Sequence, residues 1–345
     1  THYLVFLVGA LLRLDCKLLR TSLLHMKNLR SLTLRNIAND AVLQVVGKSC
    51  PKLVVLDVAC SRQVTDIGLK QLLLQSSKTE KKNKHGVART TPARLELLAQ
   101  ACPKVEKLHI SEPHHPPEAL RLFSYVTSLS VHSIPAQKQW LEGFYDYLRT
   151  NGQNLHELNL KIMQSESPLQ LDLREIFSSC PNLRILSKDG SDVIWSDAPD
   201  PPPLRHLTKV QLGRTVSALT ITKILSLAPE LTALHVHSCF DLTNAHLEKL
   251  LNVSAKSKSD RKSEKCENSL VKNLTCFYIY EASNVSASTV LNMFNSCTKL
   301  RRIGNLANWG LDCEGVRILR GTLARANLDV DLCPGSHWFW SNCIQ

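Results

Sequence analysis

The sequence predicts an α/β fold of short parallel strands, each followed by a helix, with one unit stacked on the next. Three observations carry that prediction. A frame Leu-x-x-Leu-x-Leu, with aliphatic substitutes, recurs 11 times in 345 residues. Its starts fall 24 to 26 residues apart in the runs 4, 29 and 53, then 183, 207 and 231, then 274 and 300. Apolar residues at three- and four-residue spacing, the mark of an amphipathic helix, follow most frames. A leucine pattern with a period of about 20–29 residues is that of a leucine-rich repeat. The expected architecture is therefore a leucine-rich-repeat solenoid, a curved horseshoe with parallel strands on the concave face and helices on the convex face. Residues 1–345 read as a single solenoid of about 11 repeats.

The clearest frames are "LRSLTL" at Leu29, "LVVLDV" at Leu53, "VEKLHI" at Val105 and "VTSLSV" at Val126. The series goes on through "LHELNL" at Leu155, "LTKVQL" at Leu207, "LTALHV" at Leu231 and "LTCFYI" at Leu274. Degraded copies start at Leu4 ("LVFLVG"), Leu183 ("LRILSK") and Leu300 ("LRRIGN"). Strand side chains alternate, so frame positions four and six face the core and positions three, five and seven face away. The expected helices are "DAVLQVVGKSC", "DIGLKQLLLQ", "ARLELLAQAC", "LREIFSSC", "ITKILSLAPE", "STVLNMFNSC" and "GVRILRGTLARA". Asp40, Asp66 and Ser288 stand where their N-caps belong. A Pro after Cys50, Cys102 and Cys180 stops the helix and starts the return to the next strand. One such unit cannot offset its own conformational entropy, so stability comes from stacking on neighbours.

The chain carries 12 cysteines, four of which (Cys50, Cys102, Cys180 and Cys297) recur just before a frame. Cysteines at one repeated place act as small buried hydrophobes, which favours a reducing compartment. The net charge is +12. Residues 78–94 hold net +5 of it and residues 256–265 net +3, and both stretches are poor in apolar residues. They are expected as disordered basic inserts, at about 76–92 and 253–270, that lengthen two of the repeat steps. Nucleic-acid contact through them is the alternative, although neither contains an aromatic residue for base stacking. Residues 187–205, with Asp189, Asp192, Asp197, Asp200 and a run of prolines, are expected as an irregular exposed loop.

No apolar run reaches the roughly 18 residues of a membrane span, so no membrane association is expected. The N-terminal "YLVFLVGALL" reads as a strand running into a helix and not as a signal peptide. The C-terminal Trp338, Phe339 and Trp340 are expected to cover the open end of the last repeat, or to form a partner patch. A Cys333–Cys343 disulfide would belong to a secreted, receptor-like alternative. There is no Gly-x-Ser-x-Gly and no Gly-rich phosphate loop. "HSCFD", His237 to Asp241, has the letters of a triad, but neighbours on one strand do not converge on a single atom. No enzyme activity, cofactor or metal is expected.

The candidate site is the set of side chains at odd frame positions, expected to line the concave face and to bind another protein. It comprises Arg35 and Asp57 in the early repeats, then Lys107, His109 and His132. Glu157, Asn159 and Lys161 follow, with Lys209 and Gln211, then His235 and His237, and finally Tyr278 and Tyr280 as aromatic anchors.

"CPKLVVLDVACSRQVTDIGLKQLL" closely resembles the cysteine-containing leucine-rich repeat of F-box proteins. The matching residues are Cys50, Pro51, Leu53, Leu56, Val58, Cys60, Val64, Thr65, Asp66, Gly68 and Leu69. Cys239, Leu242, Thr243 and Asn244 give a second, partial match. The resemblance implies an intracellular solenoid, cytoplasmic or nuclear, that binds a target protein on its concave face. It also implies recruitment of that target to a cullin-RING ubiquitin ligase through an adaptor. The F-box that engages the adaptor is not found in these residues, so that role depends on one lying upstream of Thr1.

Overall fold

The computed structural model describes residues 3–7, 15–35, 37–53, 55–57, 63–76, 84–87, 95–96, 99–100, 104–111, 113, 117–164, 169–252 and 271–325. Where the sequence predicts one array over 1–345, contacts divide the chain into two compact units, Thr1–Met163 and Gln164–Gln345.

In the first unit seven strands pair in parallel and in chain order. They are β1 (Tyr3–Leu7), β2 (Ser31–Arg35), β3 (Val55–Asp57), β4 (Lys84–Val87), β5 (Lys107–Ser111), β6 (Ser128–Ile134) and β7 (Glu157–Ile162). Helices α1 (Cys16–Leu24), α2 (Asp40–Ser49) and α3 (Asp66–Ser76) pack side by side, and α4 (Lys138–Asn151) links β6 to β7. In the second unit β9 (Ile185–Asp189), β11 (Lys209–Thr215), β12 (Ala233–Thr243), β13 (Cys276–Asn284) and β14 (Arg302–Ile303) pair in parallel. A separate parallel pair joins β8 (Gln170–Asp172) to β10 (Asp192–Ile194). The helices of this unit are α5 (Leu173–Ser179), α6 (Ala218–Leu227), α7 (Asn244–Asn252), α8 (Ala287–Ser296) and α9 (Cys313–Arg325), with α6 to α9 packed in succession.

Each of the 11 frames lies on one of these strands. Positions four and six form the core: Leu32 and Leu34, Leu108 and Ile110, Leu129 and Val131, Leu158 and Leu160, Leu234 and Val236, Phe277 and Ile279 are all buried. Burial of one such side chain stabilises by about 1.5–3 kcal/mol, and each ladder step adds two. Position one is fixed by a turn from the preceding helix end. Its N–H donates to the carbonyl three residues earlier, as in Leu53 to Cys50 (3.1 Å), Leu183 to Cys180 (3.2 Å) and Leu300 to Cys297 (2.9 Å). Cys50, Cys180 and Cys297 are therefore helix C-caps, buried against neighbouring repeats. Burial pushes the Cys180 and Cys297 thiols up to about 12, so both stay protonated. Cys102 lies outside the described residues.

Adjacent repeats are also tied where their helices begin. Asp40 accepts the Thr65 N–H (2.6 Å), the Asp241 carboxylate accepts the Ala218 N–H (2.9 Å), and Asn244 accepts the Ser286 N–H (2.8 Å). Gly68 is required here, because a Cβ would stand 2.2 Å from Asp40 Oδ1. The caps themselves sit one or two residues before the expected ones: Asn39 caps α2 and Ser286 caps α8. Thr65 precedes α3, and its hydroxyl accepts from the Ile67 N–H. Asp40 and Asp66 are instead the first residues of their helices, and the Asp40 acid meets the positive end of the helix dipole.

Two expectations about irregular segments are corrected. Lys84–Val87, inside the first basic insert, is strand β4, in register with Val55–Asp57 on one side and Lys107–Ile110 on the other. The long step from 53 to 105 thus contains an extra rung without leucines, whose backbone groups are satisfied by the strands flanking it. The rest of that insert, and 253–270, lie outside the described residues. Residues 187–205 are not wholly a loop either: Ser187–Asp189 finish β9 and Asp192–Ile194 form β10. Ser191, Val193 and Leu204 are buried.

Lys188 occupies position six of the "LRILSK" frame, a core position, with 1% exposure. Among the described residues its Nζ has no hydrogen-bond partner, and nor does the buried Ser191 hydroxyl. Burial lowers the Lys188 pKa to about 7; Asp189 and Asp192 oppose that shift, and Arg214 adds to it.

Candidate functional site

The odd frame positions occupy the strand face opposite the core positions, and strand register places them in rows. Lys107, Ser128 and Glu157 form one row of the first unit, and His109, Ser130 and Asn159 the next. Lys107 and Lys161 are exposed, while His109, His132, Glu157 and Asn159 are half-buried. Glu157 accepts from the Ser128 hydroxyl (2.8 Å). His109 and His132 meet edge to face at 4.5 Å between ring centres, and His132 Nε2 lies 3.2 Å from Ser130 Oγ. Ser133 has φ 54° and the register with β7 shifts between Val131 and Ile134, so His132 pairs with Ser111 of β5 but falls outside the regular pairing with β7. Arg35 lies on β2 and Asp57 on β3, but their side chains lie outside the described residues.

In the second unit the lowest row runs Lys209, Ala233, Cys276, Arg302. Above it come Gln211, His235 and Tyr278. His235 and Tyr278 rings lie 6.0 Å apart, and His237 and Tyr280 rings 5.3 Å apart. Cys276 Sγ is 3.2 Å from His235 Nε2. The burial of this face differs from a uniformly solvated wall. Gln211, His235 and Tyr278 are 4–5% exposed, whereas Lys209, His237 and Tyr280 are half-buried. Neighbouring large side chains explain this, since cross-strand rings cover one another at strand spacing. The His235 pKa falls to about 4, through burial first and then the positive charges of Lys209 and Arg302. The ring is neutral at pH 7.

The "HSCFD" residues do not converge. Ser238 Oγ bridges His237 Nδ1 (2.7 Å) and Glu281 Oε2 (3.0 Å), so the hydroxyl sits between imidazole and acid, not at the end of a relay. Cys239 Sγ points to Asp241 Oδ1 (3.4 Å), and burial, then Asp241, raises its pKa. Such a thiol is the opposite of an activated nucleophile. Among the described residues no group of three His, Cys, Asp or Glu is placed to hold a metal ion, and no helix is long and apolar enough to cross a membrane. The C-terminal aromatic run and the cysteines 333 and 343 lie outside the described residues.

One set of residues escaped the sequence reading. Thr127, Thr208, Thr232 and Thr275 stand at frame position two, and each hydroxyl donates to a carbonyl of the preceding repeat at 2.9–3.2 Å. In each case that carbonyl also accepts backbone N–H groups from the same repeat as the threonine. The recurring Thr was visible in "VTSLSV", "LTKVQL", "LTALHV" and "LTCFYI", but a search for apolar periodicity passes over it.

No family model matches the chain, and no curated protein matches it. Solved structures do. A chain in the "Crystal structure of Rad7 and Elc1 complex in yeast" superposes with TM-score 0.56 at 15% identity, covering 83% of this chain and 71% of that one. That likeness supports the repeat fold of parallel strands and helices.

Proposed function

We propose that this chain is a non-enzymatic, protein-binding repeat scaffold whose odd-position strand face, as the concave wall of a horseshoe, holds a target protein. More specifically, it serves as the substrate-recognition part of an F-box (SCF) type ubiquitin ligase in the cytoplasm or nucleus. The observation that carries the binding reading is the contrast between the two strand faces. In each unit one face is an aliphatic core, broken in the second by Lys188, and the other presents lysines, histidines and tyrosines from successive repeats. Broad surfaces of this kind suit macromolecules better than small ligands. The ligase reading is supported by the resemblance of Cys50–Leu69 to the F-box repeat, and by a structural neighbour solved as a complex of two proteins.

Affinity capture from cells tests both parts. Capture of a cullin and its adaptor by the protein as cells make it is expected. Capture of the target is expected to be lost in a Lys107→Ala, Lys161→Ala, Tyr280→Ala triple variant of unchanged melting temperature. A full-length protein that recovers no cullin ends the ligase reading; a triple variant that retains its target ends the assignment of the face.

A further inference from the structure

The second unit's face has an uneven charge. Its two lower rows read Ile185, Lys209, Ala233, Cys276, Arg302 and then Ser187, Gln211, His235, Tyr278. They hold two half-buried cations and no carboxylate. The Lys209 backbone N–H donates to the Arg184 carbonyl (3.1 Å), and among the described residues its side chain forms no hydrogen bond or ion pair. Both cations act on the same spot, since each contributes to holding His235 neutral. The floor between them is small and apolar: Cys276 and Tyr278 form a buried cluster against which Ala233 and Tyr280 pack. An apolar centre flanked by charged rim residues is the anatomy of a protein-binding hot spot.

Resting on the protein-binding reading above, we propose that Lys209 and Arg302 receive an extended acidic segment of a partner protein. The segment crosses the strands over Ala233 and Cys276. Lys209 and Arg302 are three strand steps apart in register, roughly 14 Å at about 4.8 Å per step, which an extended chain spans in about four residues. The segment therefore carries two acidic residues about four apart, with an apolar residue between them that meets the half-buried Ala233 and Tyr280. Each carboxylate gains a charge-assisted contact, and the field that penalises a proton on His235 favours the anion.

Panning a random dodecapeptide library on the whole chain tests this. Enriched peptides are expected to show the acidic–apolar–acidic spacing. They should bind about tenfold more weakly to Lys209→Gln or Arg302→Gln, the loss of one charged contact. Binding is retained in Lys209→Arg and Arg302→Lys, and every variant is checked by its melting curve. A Lys209→Glu, Arg302→Glu double variant is expected to enrich basic peptides instead. Enriched peptides without acidic residues, or with equal affinity for the Gln variants, overturn the acidic-segment proposal and leave the binding scaffold standing. A wild-type chain that enriches no peptide overturns both.

Discussion

Lys188 shows most clearly how one residue departs from the rule its repeat sets. In the complete frames position six is Leu, Val or Ile; here an amine lies buried with no hydrogen-bond partner among the described residues. The unfolded chain keeps the Lys188 proton up to its ordinary 10.5, while the folded chain releases it at about 7. Between those values the unfolded state binds more protons, so Lys188 makes stability rise with pH across that window and weakens the fold most at and below pH 7. Lys188→Met, close in volume and apolar, is expected to raise the urea midpoint at pH 7 and to flatten its rise between pH 7 and 10. Equal slopes for both proteins would show that the amine is solvated or paired. The lysine was plain in "LRILSK", but its burial was not, because a degraded frame looks like the end of a strand until neighbouring strands and β10 are seen to enclose it. The threonines at position two were missed for a related reason: their role is a hydrogen bond to another repeat, which no local pattern encodes.

Among the elements, those with leucines at fixed spacing were legible and those without them were not. Strands β2, β5, β6, β7, β11, β12 and β13 fall where complete frames place them, and even the degraded copies at 183 and 300 become β9 and β14. β4 was invisible, because "KHGV" has the composition of an exposed insert and pairs only because β3 and β5 flank it. Helix α4 was passed over although Trp140, Phe144 and Tyr147 recur at helical spacing and stack at 5.2 and 6.2 Å. If the frame is the structural unit, Leu158→Ala in β7 and Leu234→Ala in β12, at 1% and 0% exposure, each cost about 2–5 kcal/mol by equilibrium unfolding. Losses under about 0.5 kcal/mol in both, the scale of surface changes, would contradict it.

For the whole molecule, the ladder that builds each core also decides which side chains remain for binding. Alternation along every strand sends the aliphatic residues one way and Lys107, Lys161, Lys209, His237 and Tyr280 the other. The membership of that face was legible from the frame alone. Its relief was not, because Gln211, His235 and Tyr278 are covered by cross-strand neighbours that sequence spacing does not reveal. The division at Met163 and Gln164 also gave no sequence signal, since the frames continue on both sides. The central claim is that a partner docks on the odd-position face and not on the helices. Photo-crosslinking in cells tests it most directly, with a photoreactive residue placed in turn at Lys107, Lys161 and Tyr280, and for comparison at Ile67 and Leu219, exposed on α3 and α6. Crosslinks to one common partner from the first three sites, and none from the two helix sites, are the predicted result. Crosslinks to that partner from Ile67 or Leu219, with none from the strand face, would contradict the account.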